Sequence, residues 1–251
     1  KITKYYAQSK MAHTTSNPKV LQMYNGTDAY NQPNKGPGYK IDNPGNDGDC
    51  IFCHAPSIAA RDPASWDLNA ALASPKSEWD GISCDFCHKV RKIVKSDSSP
   101  SGFKPILERQ QPARGNTILV FGPYDDVSVP PMAASYNSLF EKGQYCSQCH
   151  SALRKLKRGK GWDWKKVYSQ AEWKGFGLKN DKVLPVQTTY QEWKSWQAGL
   201  GKNDPDKGRK CQDCHMSWRK NMLPFDNNVV DGHVRQMWGT HRSSKTIHPH
   251  Q

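Results

Sequence analysis

Every cysteine of this 251-residue chain falls in a Cys-x-x-Cys-His run. The four runs are Cys50-Ile51-Phe52-Cys53-His54, Cys84-Asp85-Phe86-Cys87-His88, Cys146-Ser147-Gln148-Cys149-His150 and Cys211-Gln212-Asp213-Cys214-His215, and they use all 8 Cys. This spacing is the attachment signature of c-type haem. Two thiols add across the vinyl groups, and the adjacent imidazole lies under the iron as its proximal ligand. The expectation is four covalently bound haem c groups, held by Cys50, Cys53, Cys84, Cys87, Cys146, Cys149, Cys211 and Cys214, with His54, His88, His150 and His215 on the irons. Zinc ribbons also use Cys-x-x-Cys pairs, but they need no His after each one. Disulfides suit an exported protein, yet they leave the same four His unexplained.

A haem iron has a second axial position, and its occupant decides the chemistry. Five His lie outside the runs: His13, His233, His241, His248 and His250. Four would place His on both faces of every haem. Each iron would then be closed to substrate and left to pass electrons. His13, His233 and His241 are the expected distal ligands, and His248 and His250 share the fourth role. Met11, Met23, Met132, Met216, Met222 and Met237 compete for these positions. Met216 follows its own proximal His and so lies on the wrong side of that haem; the others read as gap-filling core. The chain is therefore expected to carry electrons and not to be an enzyme, since an enzymatic haem needs an open iron and acid–base groups beside it.

The elements that must hold these residues are sparse. Only 35% of residues are hydrophobic, with 19 Gly and 17 Pro, and the mean hydropathy is −0.86. Without a cofactor such a composition approaches that of disordered chains. Four large apolar macrocycles would supply the missing core surface. The expected fold is a single tetrahaem domain over residues 1–251, mostly α with extensive loops and a minor β-hairpin. It is a thin polypeptide wrap around a chain of four stacked c-type haems, and the haem-free chain is expected to be unfolded.

The net charge of +13 and pI of about 9.3 would suit a nucleic-acid or membrane-surface partner. Haem propionates instead claim much of the Lys and Arg excess as counter-charge, so no nucleic-acid partner is expected. Arg154-Lys155-Leu156-Lys157-Arg158 with Lys160 is either a solvated helix face or a docking patch for an acidic redox partner. No run of 18 apolar residues occurs, so no membrane span is expected. Haem is attached covalently outside the cytoplasmic membrane, and an opening at Lys1 without a leader fits export followed by signal removal. The expected location is extracellular or at the cell surface, with the periplasm as the alternative. Asn25-Gly26-Thr27 is a formal glycosylation sequon.

Along the chain, Met11 to Thr14 reads as a short helix and Asn25 to Asp49 as irregular loop. Ser65 to Ser74 has helical character. Val90 to Val94 and Thr117 to Phe121 are strand candidates flanking a Ser/Pro/Gly-rich segment, where a small hairpin or an extended excursion is expected. Pro123 to Pro131 reads as loop and Met132 to Glu141 as a helix stopped at Gly143. The third run is expected to open a helix through Ala152, Leu153 and Leu156. Thr189 and Glu192 form a capping-box pattern for a helix ending at Gly199.

Three blocks carry a family resemblance. They are Gly81-Ile82-Ser83-Cys84-Asp85-Phe86-Cys87-His88-Lys89-Val90; Phe121-Gly122-Pro123-Tyr124-Asp125-Asp126 leading to Tyr145-Cys146-Ser147-Gln148-Cys149-His150; and Thr188-Thr189-Tyr190-Gln191-Glu192-Trp193 leading to Cys211-Gln212-Asp213-Cys214-His215-Met216. Over residues 10–241 the chain resembles the family around the tetrahaem cytochrome that takes electrons from hydroxylamine oxidoreductase. It also resembles the tetrahaem cytochromes that polymerise into extracellular filaments. The resemblance implies a helix-and-loop fold around stacked haem pairs. In the soluble relative one haem lacks a distal ligand. In the filaments every haem is His/His-ligated, and one His reaches a haem of the neighbouring subunit. Five spare His fit the filament pattern better, and the tail Thr246-Ile247-His248-Pro249-His250-Gln251 departs from the soluble one. The implied partners are further copies of the chain, together with redox proteins or an extracellular acceptor. A soluble periplasmic carrier is the alternative, and a multihaem enzyme with one open haem is the third reading.

Overall fold

Each Cys-x-x-Cys-His run winds into one tight turn, and apolar clusters pack against the first two. The computed structural model describes residues 6–27, 30, 32, 35–36, 38–61, 66–74, 81–96, 103–107, 118–125, 128–129, 132–155, 183–216, 229–230, 233–235 and 241–243.

The first group of elements surrounds the first run. Helix α1, Pro18–Asn25, opens at Asn17, whose side chain accepts from the Lys19 amide at 3.0 Å. That satisfies one of the donors a helix start leaves unpaired. It stops at Gly26 in the left-handed region, φ +82°, where an added Cβ would run into Gly36 O. After α2, Tyr39–Asp42, come α3, Ile51–His54, and α4, Pro56–Arg61. Helix α5, Leu68–Ala73, is capped by Asp67, which accepts from Asn69 N at 3.0 Å. Together they bury Tyr24, Ile51, Ala55, Ala59, Leu68 and Ala71, with Cys50 packed against the cluster. Tyr24 is 1% exposed, and its hydroxyl lies 3.1 Å from both Asp47 O and Asp67 Oδ1.

A second cluster forms around the second run. Helix α6, Cys84–His88, opens at Ser83, whose Oγ accepts from Phe86 N at 3.0 Å. It leads directly into β1, Val90–Lys95, which pairs antiparallel with β2, Phe103–Leu107. Val90 and Ile93 turn inward onto Ile82, Phe86 and Leu139, and Cys87 and Tyr145 pack against them. Strand β3, Ile118–Gly122, pairs in parallel with β5, Met132–Tyr136, and β4, Ser128–Val129, adds antiparallel to β5. Two 3-10 turns, Ser138–Glu141 and Gly143–Gln148, carry the chain into the third run. Then β6, Ala152–Lys155, pairs antiparallel with β7, Val183–Gln187, ahead of α7, Thr189–Gly199, and α8, Cys211–His215. Strands β8, Val229–Val230, β9, His233–Arg235, and β10, His241–Ser243, form a small sheet in which β9 is central.

The fold is mixed: short helices and loops, with more strand than one minor hairpin. The hairpin partner of β1 is Phe103–Leu107, inside the Ser/Pro/Gly-rich segment, and Ile118–Gly122 pairs with Met132–Tyr136; Thr117 lies outside the described residues. Met132–Tyr136, expected as a helix, is strand because pairing with β3 and β4 overrides the helix preference of its Met and Ala residues. The third run does not open a helix; Ala152–Lys155 is drawn into pairing with β7. Met11 to Thr14 forms turns, not a helix, and 39–42 is helical inside the expected loop. Ser128–Val129 is strand inside the other. The α7 cap sits one residue early: Thr188 Oγ1 donates to Glu192 Oε1 at 2.5 Å. Arg154 and Lys155 lie on a strand and not on a helix face; Leu156, Lys157, Arg158 and Lys160 lie outside the described residues. Among the described residues no helix is long and apolar enough to cross a membrane.

Candidate functional site

The turn geometry puts the reactive groups of each run on one side. In the first run Cys53 N and His54 N both donate to Cys50 O, at 3.2 and 3.0 Å. In the third, Cys149 N and His150 N do the same to Cys146 O, at 3.2 and 2.9 Å. Residues three and four apart on such a turn are neighbours, so two thiols and one imidazole share a face. The fourth turn is closed by Asp213, whose carboxylate accepts from Lys210 N at 2.9 Å. None of the eight cysteines forms a disulfide.

The third run lies between the others. Cys53 Sγ of the first run lies 3.9 Å from Gln148 O of the third, and the thiols of Cys53 and Cys149, like those of Cys146 and Cys211, are close enough to shift each other's pKa. The contact with Cys53, followed by burial, pushes the Cys149 thiol well up. The contact with Cys146 brings Cys211 down to about 7. Tyr145 reaches the second run, its hydroxyl donating to Cys87 O at 2.9 Å. Burial raises the Tyr145 phenol well above its ordinary range, with the neighbouring thiols adding to the effect. The turn is itself held from within, Ser147 Oγ donating to Gln144 O at 2.7 Å and Gln148 Nε2 to Tyr145 O at 3.0 Å. From the fourth run, Gln212 Nε2 donates to both Phe140 O and Lys142 O at 3.0 Å.

The motif imidazoles meet different surroundings. His88 Nδ1 is 2.6 Å from Phe121 O on the edge of β3, and its ring stacks on Phe140 at 5.6 Å and 19°. The next side chain, Lys89, donates to Leu119 O at 2.5 Å. Alternate carbonyls of one strand face the same edge, so this tail of the second run occupies the place of a further strand. His150 Nδ1 is 2.9 Å from the Gln187 side-chain amide. His54 Nδ1 is buried with no hydrogen-bond partner. Burial lowers the pKa of both His54 and His150, making each a weaker base than free imidazole; the main chain of Thr14 opposes this at His54, while His150 adds to it there and His215 adds to it at His150. His215 is exposed.

The segment from Tyr6 to Thr15 ties the first two runs together. Thr14 Oγ1 and Thr15 Oγ1 both donate to His54 O, at 2.7 and 2.8 Å. Ile82 N donates to Met11 O at 3.1 Å, and the Tyr6 hydroxyl donates to Ile82 O. His13 sits in this segment, exposed, with Nε2 2.6 Å from Ala7 O. The register pairs His233 with Ser243 and His241 with Arg235, so positions 233 and 241 share one face of the β8–β10 sheet. His248 and His250 lie outside the described residues. The Asn25 amide of the sequon is engaged with Asn69 in a reciprocal pair at 2.9 and 2.7 Å.

These donors suit covalent haem better than zinc. A structural zinc needs about four N or S ligands around one point; among the described residues no three of His, Cys, Asp and Glu gather in that way. Each turn instead offers two thiols and an imidazole on one side, with apolar rings alongside. Phe52 of the first run and Trp66 are 37% and 41% exposed and meet edge-on at 5.1 Å, an apolar surface beside Cys53 that a macrocycle would cover. Sequence reading missed Phe121, Gln187, Thr14, Thr15 and Tyr145. Phe121 and Tyr145 lie in the blocks that carry the resemblance, but a main-chain acceptor or a single hydroxyl does not name its partner, and nothing in the sequence sets Thr14, Thr15 or Gln187 apart from other residues of their types.

Comparison with protein-family models, with curated proteins and with solved structures found no match.

Proposed function

We propose that the chain is a tetrahaem c-type cytochrome that carries electrons. The observation that supports this most directly is the meeting of the runs: Cys53 Sγ of the first lies against Gln148 O of the third, Tyr145 joins the third to the second, and Gln212 of the fourth bonds the turn that leads into the third. Haems anchored at those runs would be held close to one another by the chain. Cys50 and Cys53, Cys84 and Cys87, Cys146 and Cys149, and Cys211 and Cys214 would hold them, with His54, His88, His150 and His215 as proximal ligands. Bound haem supplies one-electron oxidation and reduction of its iron; the chain's part is to fix spacing, ligands and burial. With His13, His233, His241 and His248 or His250 on the distal sides, no iron would be open, which makes this a conductor and not an enzyme.

The finer reading is an extracellular filament of this chain in which one His is donated between subunits. Five His outside the runs exceed what four irons require. The test is electron paramagnetic resonance of the ferric, natively purified protein, with electron microscopy of the same sample. Four low-spin haems in filaments are expected, with one becoming high-spin on dissociation to monomers. Monomers with all four haems low-spin would make the chain a soluble periplasmic carrier. A high-spin haem in the native state would point to an open, reactive iron.

A further inference from the structure

Three motif imidazoles differ in what their Nδ1 atoms meet. A His bound to iron through Nε2 carries its proton on Nδ1, and an acceptor there makes the ring a stronger electron donor. Stronger donation favours the ferric state and lowers the reduction potential. His88 has a main-chain acceptor, Phe121 O, at 2.6 Å. That oxygen belongs to a paired strand and cannot swing away, and Phe140, near-parallel to the imidazole, restrains the ring from pivoting about the hydrogen bond. His150 Nδ1 faces the amide nitrogen Nε2 of an exposed Gln187 at 2.9 Å. The two ends of that amide exchange by a half-turn, so Oε1 can serve as the acceptor. His54 Nδ1 is buried with no partner.

Resting on the tetrahaem reading, we propose that these contacts grade the three proximal ligands: strongest at His88, weaker at His150 and weakest at His54. The irons at these three runs then have reduction potentials that rise in the same order. The chain thereby sets a direction among haems that share one ligand type, using Phe121, Phe140 and Gln187 as positioning residues.

The test is a redox titration of the holoprotein followed by NMR, in which haem methyl signals report the oxidation state of each haem separately. The haem at His88 should oxidise first and the haem at His54 last of the three. Gln187→Glu places a carboxylate at the His150 Nδ1 and should shift only the third-run haem to lower potential. Gln187→Leu removes the acceptor and should shift the same haem upward. Gln187 is exposed, so neither change threatens the fold, and circular dichroism confirms this for each variant. The proposal is overturned if neither variant moves that haem, if both move it the same way, or if the haem at His54 has the lowest potential. Fewer than four covalent haems in the wild-type protein by pyridine haemochrome assay would instead overturn the tetrahaem reading itself.

Discussion

The hydroxyl of Tyr145 donates to the main-chain carbonyl of Cys87 at 2.9 Å, joining the residue before the third cysteine pair to the second cysteine of the second run. The ring of Tyr145 also lies 4.8 Å from Phe140, which in turn stacks on His88. Tyr145→Phe keeps the ring contacts and removes only the hydrogen bond, leaving a part-buried carbonyl unpaired. Such a loss costs about 1–3 kcal/mol. A lowered denaturation midpoint with all four haems still attached is the expected result. An unchanged midpoint would mean that the bond does not hold the two runs together.

Gly81 is where the N-terminal segment crosses the second run. A Cβ there would lie 2.5 Å from Met11 O, 2.7 Å from Ala12 O and 2.7 Å from Thr14 Oγ1. Two of these are main chain, so the segment must move as a unit. Gly81→Ala should therefore destabilise by about 1–3 kcal/mol, the usual penalty of overpacking. It should also loosen the Thr14 and Thr15 bonds to His54 O. Gly199 is the control: it closes α7, nothing lies within 4 Å of its added Cβ, and Gly199→Ala should be neutral or stabilising by up to about 1 kcal/mol. Urea denaturation of both variants separates the two cases.

What could be read from sequence divides along physical lines. The Cys and His of the runs were legible because covalent attachment demands fixed types at fixed spacing. The helix Thr189–Gly199 was legible from its Thr/Glu start pattern and the glycine at its end, although its cap falls one residue earlier, at Thr188. Met132–Tyr136 and Ala152–Lys155 were misread because a strand of good helix formers owes its state to a partner far away in the chain. The junction at the third run was not legible at all. Nothing in Cys53 or Cys211 names Cys149 or Cys146 as its neighbour; only the fold brings them together.

Tyr24 gives a pH dependence. Burial raises its phenol well above the ordinary value of 10.0, and its bonds to Asp67 and the Asp47 carbonyl favour the protonated form. In the unfolded chain the group ionises near 10.0. The folded state therefore holds the proton more tightly, and the stability this contributes is complete below pH 10 and lost as pH rises above it. Tyr24→Phe should be less stable at neutral pH through its lost hydrogen bonds, and its stability should fall less steeply between pH 10 and 12. The measurement is denaturant unfolding at several alkaline pH values. Parallel slopes for the two proteins would show that Tyr24 does not couple to folding.

The two described apolar clusters are small. One holds six buried residues, three of them Ala, and the other five. Fully burying a large aliphatic or aromatic side chain contributes about 1.5–3 kcal/mol, whereas fixing one residue's backbone opposes folding by about 1–2 kcal/mol. Among the described residues, clusters of this size contribute little against that cost, and the chain's mean hydropathy is −0.86. Cys50 and Cys87 pack on the rims of these clusters, so attached haems would extend them. Chain produced without haem attachment should accordingly show no cooperative thermal transition by circular dichroism, while the four-haem form melts in one. Changing both cysteines of the third run to Ala should destabilise more than the same change in the second, because the third touches each of the others. A sharp, native-like melt of the haem-free chain would show that the polypeptide carries its own core.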